Sequence, residues 1–142
     1  MKRLLSCAAL VALLAPVPAM AQQWYRVATN DLGTQYVDLA SIVPDGDYLR
    51  AAEIAVYVEP RESGAKYIAT VAQYDCRGRR AHFVRFEPFT SANVSLGVLN
   101  DPDQGEFVES APDSPGQRSL DFICNVDRGG AVLVEDPRTD TP

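Results

Sequence analysis

Residues 114–124 read Ser114-Pro115-Gly116-Gln117-Arg118-Ser119-Leu120-Asp121-Phe122-Ile123-Cys124, and how this stretch folds decides the architecture of the chain. Ser114 suits an N-cap, Pro115 the first helical position, and Gln117 the third residue after the cap, the pattern of a capping box. A helix is predicted to start here, with Leu120, Ile123 and Cys124 on one face at spacings of three and four, and with Gly129-Gly130 as its stop. The alternative is a strand over 119–126 in which Leu120, Phe122, Cys124 and Val126 alternate inward. The cap residues favour the helix, and Asp121 fits poorly in a strand.

Everything upstream reads as β-structure. Residues 24–29 alternate Trp24, Arg26 and Ala28 with Tyr25, Val27 and Thr29, and the turn chemistry of Asn30-Asp31-Leu32-Gly33 leads into a second run at 34–37, so a hairpin is predicted. Residues 38–42 suffice for a single helical turn before Pro44-Asp45-Gly46-Asp47. The longest extended stretch, 48–59, places Tyr48, Arg50, Ala52, Ile54, Val56 and Val58 on one face, the more apolar in its C-terminal half, and Leu49, Ala51, Glu53, Ala55, Tyr57 and Glu59 on the other. Two further runs, 66–76 and 79–89, join at Arg77-Gly78, a hairpin signal. A strand over 91–99 and a short one at 107–109 complete the reading. Ile68, Thr70, Ala72, Tyr74 and Cys76 share a face, which directs the Cys76 sulfur at whatever covers the sheet.

The N-terminus carries Lys2 and Arg3, an apolar run from Leu4 to Leu14 and the small-residue site Ala19-Met20-Ala21. These are the parts of a signal peptide over 1–21, cleaved before Gln22. Too little apolar sequence precedes Cys7 for lipoprotein processing there, so Cys7 is expected to leave with the leader. An exported chain, periplasmic or secreted to the cell surface, then retains Cys76 and Cys124, and an even pair in an oxidising compartment predicts a disulfide. The expected organisation is the signal peptide, one domain over 22–128 and a polar tail over 129–142, of which the proline-containing stretch 136–142 is expected to fray.

Loss of residues 1–21 leaves 11 basic against 19 acidic residues, a formal charge of −8. That balance disfavours nucleic acid and anionic membrane surfaces as partners. His82 is the single histidine, no Cys-x-x-Cys is present, and neither a Gly-x-Ser-x-Gly elbow nor a glycine-rich phosphate loop occurs. No metal, cofactor or catalytic residue is therefore expected. A hydrolase would require His82 to meet a serine and a carboxylate in a cleft. Asp101, Asp103 and Glu106 lack the ligand pattern of a calcium loop and read as a solvated acidic loop.

Against this acidic background, Arg77, Arg79, Arg80 and Arg85 cluster around one hairpin beside Tyr74, Phe83 and Phe86. Arginine with aromatics suits recognition of acidic protein segments or sulfated glycans. A charged edge that blocks sheet-to-sheet pairing is the plainer explanation.

Trp24 near the start, Tyr36-Val37-Asp38-Leu39-Ala40-Ser41-Ile42, Tyr74-Asp75-Cys76 before a basic strand, and Pro115-Gly116 leading to Phe122-Ile123-Cys124 together resemble the surface-adhesin protein E family of bacterial exported proteins, over about 24–125. The resemblance implies an α+β fold, with a single antiparallel sheet of about six strands and a C-terminal helix packed on it and bridged to it by the cysteines. It also implies dimerisation, and non-enzymatic binding of host matrix and serum proteins such as vitronectin, laminin and plasminogen. The family's type member is a lipoprotein, whereas this chain has no credible acylation cysteine. A periplasmic, envelope-associated structural or interaction protein with no host ligand is the alternative function.

Overall fold

The computed structural model describes residues 21–100 and 105–141. Residues 1–20 of the expected signal peptide, with Cys7, and the acidic pair Asp101 and Asp103 lie outside the described residues. The chain order is β1 (Trp24–Asn30), β2 (Gly33–Asp38), β3 (Val43–Asp45), β4 (Tyr48–Tyr57), β5 (Tyr67–Asp75), β6 (Arg80–Phe89), β7 (Leu99–Asn100), β8 (Val108–Glu109), α1 (Pro115–Ile123) and β9 (Val132–Val134). The sheet runs β7-β6-β5-β4-β2-β1-β9, with β3 beside β4 and β8 beside β6, and every pairing is antiparallel.

The α+β architecture with a C-terminal helix is as expected, but among the described residues the sheet has nine strands rather than about six. The surplus comes from β3, β7, β8 and β9, each two or three residues long. Alternation over so few residues gives no periodic signal, and pairing with a longer neighbour is what makes them strands. The strand expected over 91–99 does not form. Thr90 to Val94 close a turn, with Asn93 N–H bonded to Thr90 O at 2.9 Å and Asn93 at φ 62°, and Gly97 at φ 117° breaks the chain again. Extended backbone survives only at the Phe89–Ser95 bridge and in β7.

The β1–β2 turn is set by Asn30, whose Oδ1 accepts from the N–H of Leu32 and Gly33 at 2.9 and 3.1 Å. Gly33 is required there: a Cβ would lie 2.3 Å from Val56 O on β4. Asp38 then caps the single 3-10 turn Leu39–Ser41, accepting from Ala40 N–H at 3.0 Å and Gln23 N–H at 2.8 Å.

In α1, Ser114 Oγ accepts from Gln117 N–H at 3.1 Å. The reciprocal half of a capping box is absent, because Gln117 Nε2 donates to Asp121 at 3.2 Å instead. Gly129-Gly130 is not the stop. Asn125 adopts φ 56°, Val126 N–H reaches Asp121 O at 2.8 Å and Asn125 N–H reaches Phe122 O at 3.2 Å, so a Schellman end closes the helix with asparagine in the left-handed position. Leu120, Phe122 and Ile123 bury against Val27, Val37, Ala51, Ala72 and Tyr74 of the sheet, and the Tyr25 and Phe122 rings sit 5.4 Å apart. Full burial of Leu120 and Ile123 contributes about 2 kcal/mol each. Ala51 pairs with Ala72 in register, and these small residues under the helix let it approach the sheet closely.

The opposite face of the sheet is also covered. Beyond β9, Pro137 is fully buried, Tyr36 is inaccessible, and Trp24 and Tyr67 are buried. Asp140 Oδ2 accepts from Tyr36 Oη at 2.9 Å and from Arg26 at 3.0 Å. The C-terminal segment expected to fray is therefore pinned, by side chains far away in sequence.

Candidate functional site

The basic hairpin and the disulfide occupy the same corner of the molecule. Cys76 and Cys124 are bonded, with Cα atoms 5.5 Å apart. The turn spans four residues, Cys76 to Arg79, rather than the two of Arg77-Gly78. Arg79, not Gly78, takes the left-handed backbone, at φ 57°.

The four arginines differ in their engagements. Arg79 forms an ion pair with Asp121 on α1, and its Nη1 is buried with no hydrogen-bond partner among the described residues. Arg80 Nε donates to Asp75 at 2.9 Å, and its guanidinium lies 5.4 Å from the Phe107 ring centroid. Asp75 also accepts from Gly78 N–H at 2.8 Å; this bond first, and Arg80 second, hold its carboxyl below the usual range. Arg85 pairs with Glu87, whose carboxyl is lowered chiefly by that bond. Arg77 is exposed, and its guanidinium has no ion-pair partner among the described residues.

Of the flanking aromatics, Tyr74 is a core residue at 3% exposure, Phe86 is half-buried and Phe83 is 58% exposed. Beside the hairpin, an open cleft of about 840 Å3 is lined by Asp47, Tyr48, Leu49, Arg77 and Cys124 among others. Arg77 is the cationic side chain at its rim.

His82 is an interior residue of the sheet. It is buried on β6, pairs with Gln73 in register, and lies 5.7 Å from Phe107, which in turn packs 4.7 Å from Tyr48. Among the described residues there is no group of three or more His, Cys, Asp or Glu able to hold a metal ion, and no helix is long and apolar enough to cross a membrane.

Two features escaped the sequence reading. The Arg79–Asp121 pair joins residues 42 apart, a separation that carries no local signal. Glu53 is 5% exposed beneath α1; its place between Ala51 and Ala55 on one face of the strand was the signal that could have found it.

The structure is similar to Haemophilus influenzae protein E in two solved forms, each with a TM-score of 0.50, 17% identity and 80% of this chain covered; the cover of those chains is 95% and 92%. A further structure, of protein E from non-typeable Haemophilus influenzae, gives a TM-score of 0.47 at 19% identity, covering 79% of this chain and 82% of that one. At 17% identity the likeness to the first two speaks for the fold alone. No curated protein matches the sequence. The family model for surface-adhesin protein E matches residues 24–125, a span containing the sheet from β1 to β8, helix α1 and both bridged cysteines. The chain belongs to the surface-adhesin protein E family.

Proposed function

We propose that this protein is an exported, non-enzymatic binding protein that contacts an acidic protein segment or a sulfated glycan, of host matrix or serum origin, at the rim formed by the β5–β6 hairpin. The observation that carries this reading is Arg77, exposed at the mouth of the cleft between β4 and the hairpin. An unpaired guanidinium beside tyrosine in a concave site suits bidentate capture of carboxylate or sulfate. Arg80 and Arg85 are exposed but already carry carboxylates, so they add less net attraction. Arg79 belongs to the scaffold through Asp121.

The test is binding of the mature protein to immobilised heparin and to purified matrix proteins, comparing wild type with Arg77→Glu and with Arg85→Glu. Arg77→Glu weakens binding at least tenfold while leaving the far-UV spectrum unchanged. Equal binding by both variants would remove the hairpin from the reading. Absence of binding by wild type would favour a periplasmic, envelope-associated role with no host ligand.

A further inference from the structure

Glu53 sits in the middle of β4, opposite Val37 of β2 on one side and Thr70 of β5 on the other, directly beneath the helix. Its Oε2 accepts from Gln35 Nε2, and from Ser119 Oγ of α1 at 3.4 Å. Its Oε1 is buried with no hydrogen-bond partner among the described residues. None of the neighbours supplies a countercharge. From β2 come Gln35 and Val37 and from β5 comes Thr70, none of them charged; from α1 comes Ser119, while the charged residues of that helix are bonded elsewhere, Arg118 to Asp127 at 3.0 Å and Asp121 to Arg79. A carboxylate buried without a cation is costly, and a site built in this way favours the neutral acid.

We propose that Glu53 makes the seating of α1 proton-linked: the helix packs most firmly while Glu53 is neutral, and its N-terminal half lifts more often once Glu53 ionises. The geometry says which end moves. The C-terminal end is fixed by Cys76–Cys124 and by Arg79–Asp121. The first turn instead borders a cavity of about 270 Å3 lined by Gly33, Gln35, Ala55, Tyr57 and Pro115. Gln35 both lines that cavity and donates to Glu53, so a small displacement of Pro115 gives water a route to the carboxylate. Burial pushes the Glu53 carboxyl up to about 7, the bonds from Gln35 and Ser119 offsetting part of that rise, and the linkage therefore operates near neutrality.

The test uses the full mature chain. Amide hydrogen exchange of α1 is followed from pH 5.5 to 8, corrected for intrinsic base catalysis, in wild type and in Glu53→Gln. In wild type the opening equilibrium of the first two turns of α1 rises by about tenfold or more across this range, while Glu53→Gln stays flat. A parallel rise in both proteins would overturn the proposal. A carbon-13 titration of the Glu53 carboxyl in wild type tests it without any substitution. A midpoint near 7 supports the linkage, and one near the ordinary glutamate value of 4.5 would refute it even if Glu53→Gln failed to fold.

Discussion

Arg79 and Asp121 form an ion pair that runs alongside the disulfide Cys76–Cys124. Arg79 follows Cys76 by three residues, and Asp121 precedes Cys124 by three. The β5–β6 turn and the last turn of α1 are thus joined at two points along one antiparallel seam, one covalent and one ionic. Helix periodicity accounts for the match, since residues three apart lie on the same side of α1.

Loss of the ionic member should be measurable with the covalent one intact. Arg79→Ala is expected to lower stability by about 1 kcal/mol, the size of a partly exposed pair. Urea unfolding in a double-mutant cycle with Asp121→Ala checks this, a coupling indistinguishable from zero counting against the pair. Arg79→Lys should recover part of the charge but not the planar geometry.

Removal of the disulfide acts mainly on the unfolded chain. Its cysteines are 48 residues apart, and closing a loop of that size is worth about 4 kcal/mol. The Cys76→Ser, Cys124→Ser double variant should show an unfolding midpoint in urea lowered accordingly, with α1 exchanging its amides first.

The pH profile of global stability should peak on the acid side of neutrality. Asp75 and Asp127 are held below the ordinary aspartate value, first by the N–H of Gly78 and Gly129 and then by Arg80 and Arg118. Their contribution is present above the unfolded pKa and is lost as pH falls through the folded one. Glu53 has the opposite sign: its folded pKa is raised from 4.5 to about 7, so its stability is full below 4.5 and declines until about 7. That decline amounts to up to about 3 kcal/mol. Urea midpoints from pH 3 to 8 should therefore reach a maximum at about pH 4 to 5, and Glu53→Gln should abolish the fall toward neutrality.

Asp140 anchors the tail through the Tyr36 hydroxyl and Arg26. Asp140→Ala takes the charged acceptor from the Tyr36 hydroxyl, which keeps its bond to Thr34, and the ion-pair partner from Arg26, and is expected to cost about 1–3 kcal/mol. Burial, reinforced by the bond to Asp140, raises the Tyr36 phenol above its usual value. Phenolate absorbance should show this tyrosine resisting ionisation in wild type and titrating earlier in the variant.

Ser114→Ala removes the acceptor for Gln117 N–H and should destabilise the protein by about 1 kcal/mol. A thermal melt with unchanged near-UV signal at low temperature checks that only the cap is lost.

Local chemistry was enough to determine several features. Alternation marked β1, β2, β4, β5 and β6, because a half-buried strand must alternate its faces. Ser114 and Pro115 marked the start of α1, because their effect operates within one turn. The shared face of Ala72, Tyr74 and Cys76, together with an even cysteine pair, pointed to the bridge. The order of these motifs pointed to the family. Tertiary structure decided what depends on neighbours remote in sequence. Strands of two or three residues exist only because β1, β4 and β6 offer them an edge. The tail is held because Asp140 bonds Tyr36 and Arg26 and Pro137 is fully buried. Within the basic hairpin, Arg80 and Arg85 pair with carboxylates five and two residues away, whereas Arg79 becomes structural only because the fold brings up Asp121, 42 residues distant, and Arg77 is left exposed without an ion-pair partner among the described residues. Glu53 alternates with Ala51 and Ala55 on one strand face, but only the helix lying over it, with no cation beside it, buries that acid and gives it its raised pKa.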